Sequence, residues 1–256
     1  MFKLFRRLIL LIIIGGVAIG GYFMFNHTKD VKGETISNTI NLDITKTYTL
    51  DVYKMGISNK DAVINVYPTE DGETYIQYEV NKALVEEYGF EIKVDSDASK
   101  IDIATKHNYA YKVSKFTINI YCNFNKLILS SPLKYNVDAS AIGNRLAVTY
   151  NGTGSLNISN LNLAEIDLKT TSSGKTTLSG HANNIIVESS GRGNIEAKDL
   201  ITLTANVNLR ADGGLTITVT TKITAVIDGK GDINYYGNAE TVVTGNGEGT
   251  VFQAQG

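Results

Sequence analysis

The sequence predicts an all-β protein, a right-handed β-solenoid of the single-stranded β-helix type, preceded by one N-terminal transmembrane helix. Three observations carry this expectation. Apolar residues alternate at period two through most of the chain, helical periodicity is nearly absent, and glycine-bearing turns recur through the last hundred residues.

The N-terminal element rests on charge and length. Lys3, Arg6 and Arg7 are followed at residues 8–25 by 18 residues without a charge, enough to cross a hydrocarbon layer of roughly 30 Å as a helix. The basic flank assigns residues 1–7 to a cytoplasmic tail and 8–25 to a transmembrane signal anchor. That makes a single-pass protein of the cell membrane with the remainder outside. A cleaved signal peptide is the competing reading, because Ala18, Gly20 and Gly21 would suit a peptidase. Gly16 and Gly20 would also allow two such helices to approach closely.

Residues 26–40 are polar, include Gly33, and read as a linker. The extracellular β-solenoid is then expected over 41–256. Leu50 with Val52, Ile64 with Val66, Ile76 with Val80 and Ile92 with Val94 each mark a half-buried strand. Ile101 with Ile103, Phe116 with Ile118 and Ile120, Leu127 with Leu129, Tyr135 with Val137 and Leu146 with Val148 continue the pattern. The best helical candidate is residues 82–88, which Gly89 would stop. Rungs are regular from residue 152. Residues 41–130, with longer strands and fewer glycines, read either as earlier rungs or as a distinct β cap.

The repeat aligns on Leu156, Leu178, Ile195, Leu215, Ile233 and Val251, in steps of 22, 17, 20, 18 and 18 residues. Glycines such as Gly152, Gly154, Gly174, Gly191, Gly193 and Gly231 read as corners that need a positive φ. In the clearest unit Ile233 and Tyr235 point inward while Asn234 and Tyr236 face out. Over 41–256 this spacing gives about eleven rungs, each adding about 4.8 Å of height.

These residues also carry a resemblance. Residues 227–238, Ile-Asp-Gly-Lys-Gly-Asp-Ile-Asn-Tyr-Tyr-Gly-Asn, followed by Thr-Gly-Asn-Gly-Glu-Gly at 244–249, resemble the closing repeats of the auto-transporter adhesin head GIN domain. Residues 163–180 and 187–191 are similar to a related adhesin family of bacterial exported β-solenoids. The resemblance implies the solenoid fold and an adhesin-like surface role. A regulatory partner in an envelope stress system is a further role it implies.

Chemistry is sparse. Without the three basic residues of the tail the chain has 21 Lys+Arg against 26 Asp+Glu, the wrong balance for nucleic acid. Cys122 is the single cysteine, so no internal disulfide forms, and its phase with Phe116, Ile118 and Ile120 marks it as core. His27, His107 and His181 are isolated, and nothing favours a dyad of Cys122 with His107 or His181. Gly174-Lys175-Thr176 imitates the end of a phosphate-binding loop, but Lys169 stands where its first glycine belongs and no helix follows. Asp212, Asp228 and Asp232 resemble calcium-binding turns, yet equivalent turns carry Lys175, Asn194 and Glu248.

Glu165, Asp167 and Glu188, near Lys169 and Arg192, form the strip a polysaccharide-active β-helix enzyme would use. Without tryptophan, sugar stacking would fall to tyrosines such as Tyr235 and Tyr236. No catalytic, cofactor or metal residues are assigned. The expected function is a non-enzymatic, membrane-anchored cell-surface protein, adhesin-like or a protein-interaction scaffold, with the polysaccharide-active enzyme as the alternative. Its partners are the membrane through residues 8–25 and a protein or cell-wall glycan. The segment 251–256 lies almost on a rung with no polar cap, so self-association through that C-terminal rung is also expected.

Overall fold

The computed structural model describes residues 28–57, 59, 61–69, 72–107 and 109–255. The expected transmembrane helix at 8–25 lies outside the described residues, and among those residues no helix is long and apolar enough to cross a membrane.

Before the regular coil come β1 (Thr28–Val31), β2 (Thr35–Asn41), β3 (Thr47–Tyr53), β4 (Gly56–Ile57), β5 (Val63–Tyr67) and β6 (Tyr75–Asn81). They are followed by α1 (Lys82–Glu86), β7 (Glu91–Asp95), β8 (Lys100–Ala104), β9 (Ala110–Val113) and β10 (Phe116–Tyr121). The coil begins with β11 (Asn123–Leu129), β12 (Lys134–Asp138) and β13 (Arg145–Tyr150). It continues through four long bent strands, β14 (Ser155–Thr170), β15 (Lys175–Ser189), β16 (Ile195–Leu209) and β17 (Leu215–Ile227). It closes with β18 (Ile233–Tyr236), β19 (Glu240–Thr244) and β20 (Val251–Gln253).

Alternation places every second side chain inward, and parallel register stacks those side chains into two columns. One runs Ile118, Ile64, Tyr135, Leu156, Thr176, Ile195, Leu215, Ile233 and Val251. The other runs Ile101, Leu50, Leu127, Val148, Leu168, Val187, Val207, Ala225 and Val243. Each long strand serves both columns. Asn160, at φ 58°, and Gly180, at φ 121°, sit where β14 and β15 bend between them. Only residues tolerant of the left-handed region turn the chain so sharply.

The first column corrects the repeat. Thr176, not Leu178, stands above Leu156, so the steps are 20, 19, 20, 18 and 18 residues. Leu178 fills the next inward slot, over Ile158. The rung is regular but its marker is polar, which hides it from an apolar alignment. Thr176 is fully buried and its Oγ1 has no hydrogen-bond partner. A buried hydroxyl without a partner costs about 1–3 kcal/mol. Thr176→Val is therefore expected to raise stability by about 1 kcal/mol, read as a higher urea midpoint; an unchanged or lower midpoint would mean that the hydroxyl is satisfied.

The corner glycines also differ from expectation. Of the glycines from residue 152 on, only Gly180, Gly237 and Gly245 have a positive φ, 121°, 98° and 114°. The others are selected by distance between layers. A Cβ built on Gly174 would lie 1.8 Å from the Gly154 carbonyl oxygen, one on Gly193 2.0 Å from that of Gly174, and one on Gly231 2.2 Å from that of Gly213. Each turn rests directly on the backbone of the turn beneath it, leaving no room for a side chain.

The lower layers are laid down out of chain order. β5 lies between β10 and β12, and β3 between β8 and β11, so each is flanked by strands that come later in the chain. Beneath them β6 pairs antiparallel with β10, β7 with β8, and β2 with β6. The helix α1 buries Leu84, and Gly89, at φ 64°, ends the turn that follows. The coil makes about six turns rather than eleven rungs, because strands before residue 122 are spent on this arrangement.

Residues 28–40, expected as part of a linker, instead hold β1 and most of β2. β1 pairs parallel with β9 in a small sheet completed by β4, and β2 joins the main sheet. Buried Val31 and partly buried Ile36 and Ile40 tie this stretch to the core.

Candidate binding surface

A coil filled by its own side chains leaves chemistry to its outer faces. The expected charged strip is real: Arg145 pairs with Glu165 at 3.1 Å and with Asp167 at 3.3 Å, and Lys169 with Glu188 at 3.2 Å. Arg192 does not join it, pairing instead with Asp212 at 3.6 Å on a turn. Lys169, Glu188, Asn208 and Arg210 border a shallow trough of about 250 Å³. Every carboxylate of the strip faces a cation. Exposed pairs of this kind contribute about 0–1 kcal/mol and organise a surface more than they supply an acid–base pair.

The turn aspartates are likewise committed. Asp228 pairs with Arg210 at 3.8 Å, and Asp232 Oδ1 accepts hydrogen bonds from the Thr250 amide at 2.8 Å and its hydroxyl at 2.9 Å. Among the described residues no group of acidic, His or Cys side chains could hold a metal ion. His27 lies outside the described residues. His107 stacks on Tyr109 with ring centroids 5.4 Å apart, while His181 sits on β15 in register with Asn162.

Cys122 is buried, and burial pushes its thiol up to about 12. Thiolate is the reactive form. Iodoacetamide at pH 8 should leave Cys122 unlabelled in the folded protein and label it fully in denaturant; rapid labelling of the folded chain would contradict its place in the core.

A second face was not anticipated. On β5, β10, β12 and β14 one asparagine stands between two inward residues and therefore points out. Register brings these asparagines together: Gln77, Asn119, Asn65, Asn136 and Asn157 lie on successive strands. Asn65 Nδ2 donates to Asn119 Oδ1 at 2.8 Å, and Asn136 Nδ2 donates to Asn65 Oδ1 at 2.9 Å. A carboxamide has two N–H donors and two acceptor lone pairs. Within this ladder Asn65 uses one of each and retains one of each.

Two residues along the same strands, Tyr75, Tyr121 and Tyr67 stack with centroids 4.7 and 5.0 Å apart. That spacing equals the distance between strands, so the rings stand on edge beside the amides. Next to them Ser37, Gln77, Tyr78, Glu79, Thr117 and Asn119 line a depression of about 150 Å³. Glu79 is neutralised by Lys115 at 2.9 Å. The tyrosines expected from the sequence do not contribute: Tyr235 is buried, and Tyr236 lies under the Lys198 ammonium at 4.4 Å.

The family model described as putative auto-transporter adhesin, head GIN domain, matches residues 60–239. Among solved structures the chain is similar to a putative adhesin from Bacteroides fragilis, with TM-score 0.75 and 20% identity over 88% of this chain and 99% of that one. It is also similar to a putative lipid binding protein from Parabacteroides distasonis, with TM-score 0.60 and 17% identity over 88% and 99%. A putative adhesin from Parabacteroides merdae aligns with TM-score 0.50 and 17% identity over 90% and 100%. No curated protein sequence matches. At these identities the structural likeness establishes the fold.

Proposed function

The chain belongs to the putative auto-transporter adhesin, head GIN domain family, and from that premise we propose that it is a non-enzymatic binding scaffold on the cell surface. Its contact surface is the amide–tyrosine face, and its ligand is an uncharged polyhydroxylated chain, a cell-wall glycan. The observation that carries this reading is the ladder from Gln77 through Asn65 to Asn157. A hydroxyl group donates one hydrogen bond and accepts one, which matches what Asn65 retains. The basic residues at 3, 6 and 7 and the uncharged run at 8–25 support a single-pass anchor with the coil, wound right-handed like nearly all parallel crossovers, held outside.

The test uses the full chain in detergent micelles passed over purified, insoluble cell-wall glycan. Retention, release by soluble fragments of that glycan, and no new reducing ends are expected. Protease added to intact cells should remove the coil and spare a tag on residues 1–7. Release of reducing ends that stops with Glu188→Gln or Asp167→Asn would overturn the binding reading in favour of an enzyme. Failure to bind any wall glycan would remove the glycan as ligand.

A further inference from the structure

The two ends of the coil are finished differently. At the lower end the column residues Ile101 and Ile118 are fully buried, with β7 paired outside β8 and with β6 and then β2 outside β10; β7 alternates Glu91, Lys93 and Asp95 along its edge, and β2 exposes Thr35, Ser37 and Thr39. Charges of this sort keep an edge strand from pairing with other chains. At the upper end the described residues show no such protection. β19 pairs with β17 and β20 with β18, each on one side. All of β19 is exposed, and Val243, which continues the inward column above Ala225, is 47% exposed. Val242 and Phe252 beside it are 39% and 46% exposed. An apolar column therefore opens into solvent beneath an unpaired edge.

We propose that a second copy of this chain covers that end, pairing β19 with its own symmetry mate in an antiparallel ladder. The sequence of β19, Glu-Thr-Val-Val-Thr, is suited to self-pairing. Centred on Val242, a two-fold axis sets Glu240 against the second copy's Thr244, Thr241 against its Val243, and Val242 against its Val242. No like charges meet, because the strand's single carboxylate faces a hydroxyl. Both copies bury Val243 in the same step, extending each core column into the other. A two-fold contact uses the same patch on both molecules and closes on itself. Because the contact uses β19 alone, assembly stops at a dimer joined head to head. The contact leaves the amide–tyrosine face of each copy uncovered, so it holds whichever ligand that face takes.

The register gives a direct test in the full chain in its membrane, where the only native cysteine is buried Cys122. Val242→Cys should form a disulfide-linked dimer under mild oxidant. Thr224→Cys, exposed on β17 directly beneath, should not. Adding Val243→Asp to Val242→Cys should reduce the dimer band at least tenfold while leaving the thermal midpoint unchanged, since that side chain is already half in solvent. In detergent the unaltered chain should have the mass of a dimer. Four results would overturn the proposal: a monomeric Val242→Cys protein, equal cross-linking at residue 224 as expected if residues 8–25 alone drive association, cross-linking indifferent to Val243→Asp, or growth into filaments.

Discussion

Gly174→Ala is expected to destabilise the protein by about 3 kcal/mol or more, although it adds only one methyl group to a turn. The new Cβ would fall 1.8 Å from the Gly154 carbonyl oxygen and 2.9 Å from the Tyr150 hydroxyl. Backbone beneath it cannot rotate away as a side chain would. Relief requires separating two layers, and their neighbours Gly193 and Gly213 are stacked in the same way. Gly143→Ala is the matched control: nothing lies within 4 Å of its added Cβ and its φ is not positive, so a change within about 0.5 kcal/mol is expected. Urea midpoints of the two variants decide the matter. Equal midpoints would mean that the glycine column is compositional and does not set the layer spacing.

Ile64→Ala should cost about 2–5 kcal/mol, the range for truncating a fully buried aliphatic side chain. Ile64 is completely buried between Ile118 and Tyr135. Its larger significance is topological. In a simple solenoid each repeat contacts only its neighbours in sequence, and a lesion can be felt locally. Here β5 joins β10 to β12, so the layer that closes the lower end and the first turn of the coil share one strand. Hydrogen exchange should report the same loss of protection in β8 and β10 as in β14. Loss confined to β8 and β10, with β14 unaffected, would mean that the lower layers and the coil fold separately.

Much of the secondary structure is legible because alternation is a local signal. Pairs such as Leu127 with Leu129 and Leu146 with Val148 mark strands wherever those strands are placed. β1, β2, β4 and β9 escape because they are short or polar, with only Val31, Ile36, Ile40, Ile57, Tyr111 and Val113 to mark their buried side. The layer order is not legible, since nothing local tells Ile64 to sit between residues 54 and 71 positions away. The amide face illustrates both cases. The triplets Ile64-Asn65-Val66, Ile118-Asn119-Ile120, Tyr135-Asn136-Val137 and Leu156-Asn157-Ile158 are plain in the sequence. That they form one continuous ladder depends on a strand order that only the folded chain reveals. Glycine was ambiguous for a different reason: a positive φ and a close backbone contact both select it, as Gly180 and Gly174 demonstrate.

The amide ladder offers the most direct measurement of what the molecule does. The affinity of the full chain for soluble cell-wall glycan fragments should fall at least about tenfold in Asn65→Ala/Asn136→Ala, a loss of about 1.4 kcal/mol, while Glu188→Gln on the charged strip leaves it unchanged. The double variant should retain its cooperative unfolding. An affinity unaltered by the double substitution, in a protein that still folds and still binds the glycan, would place the contact surface elsewhere on the coil.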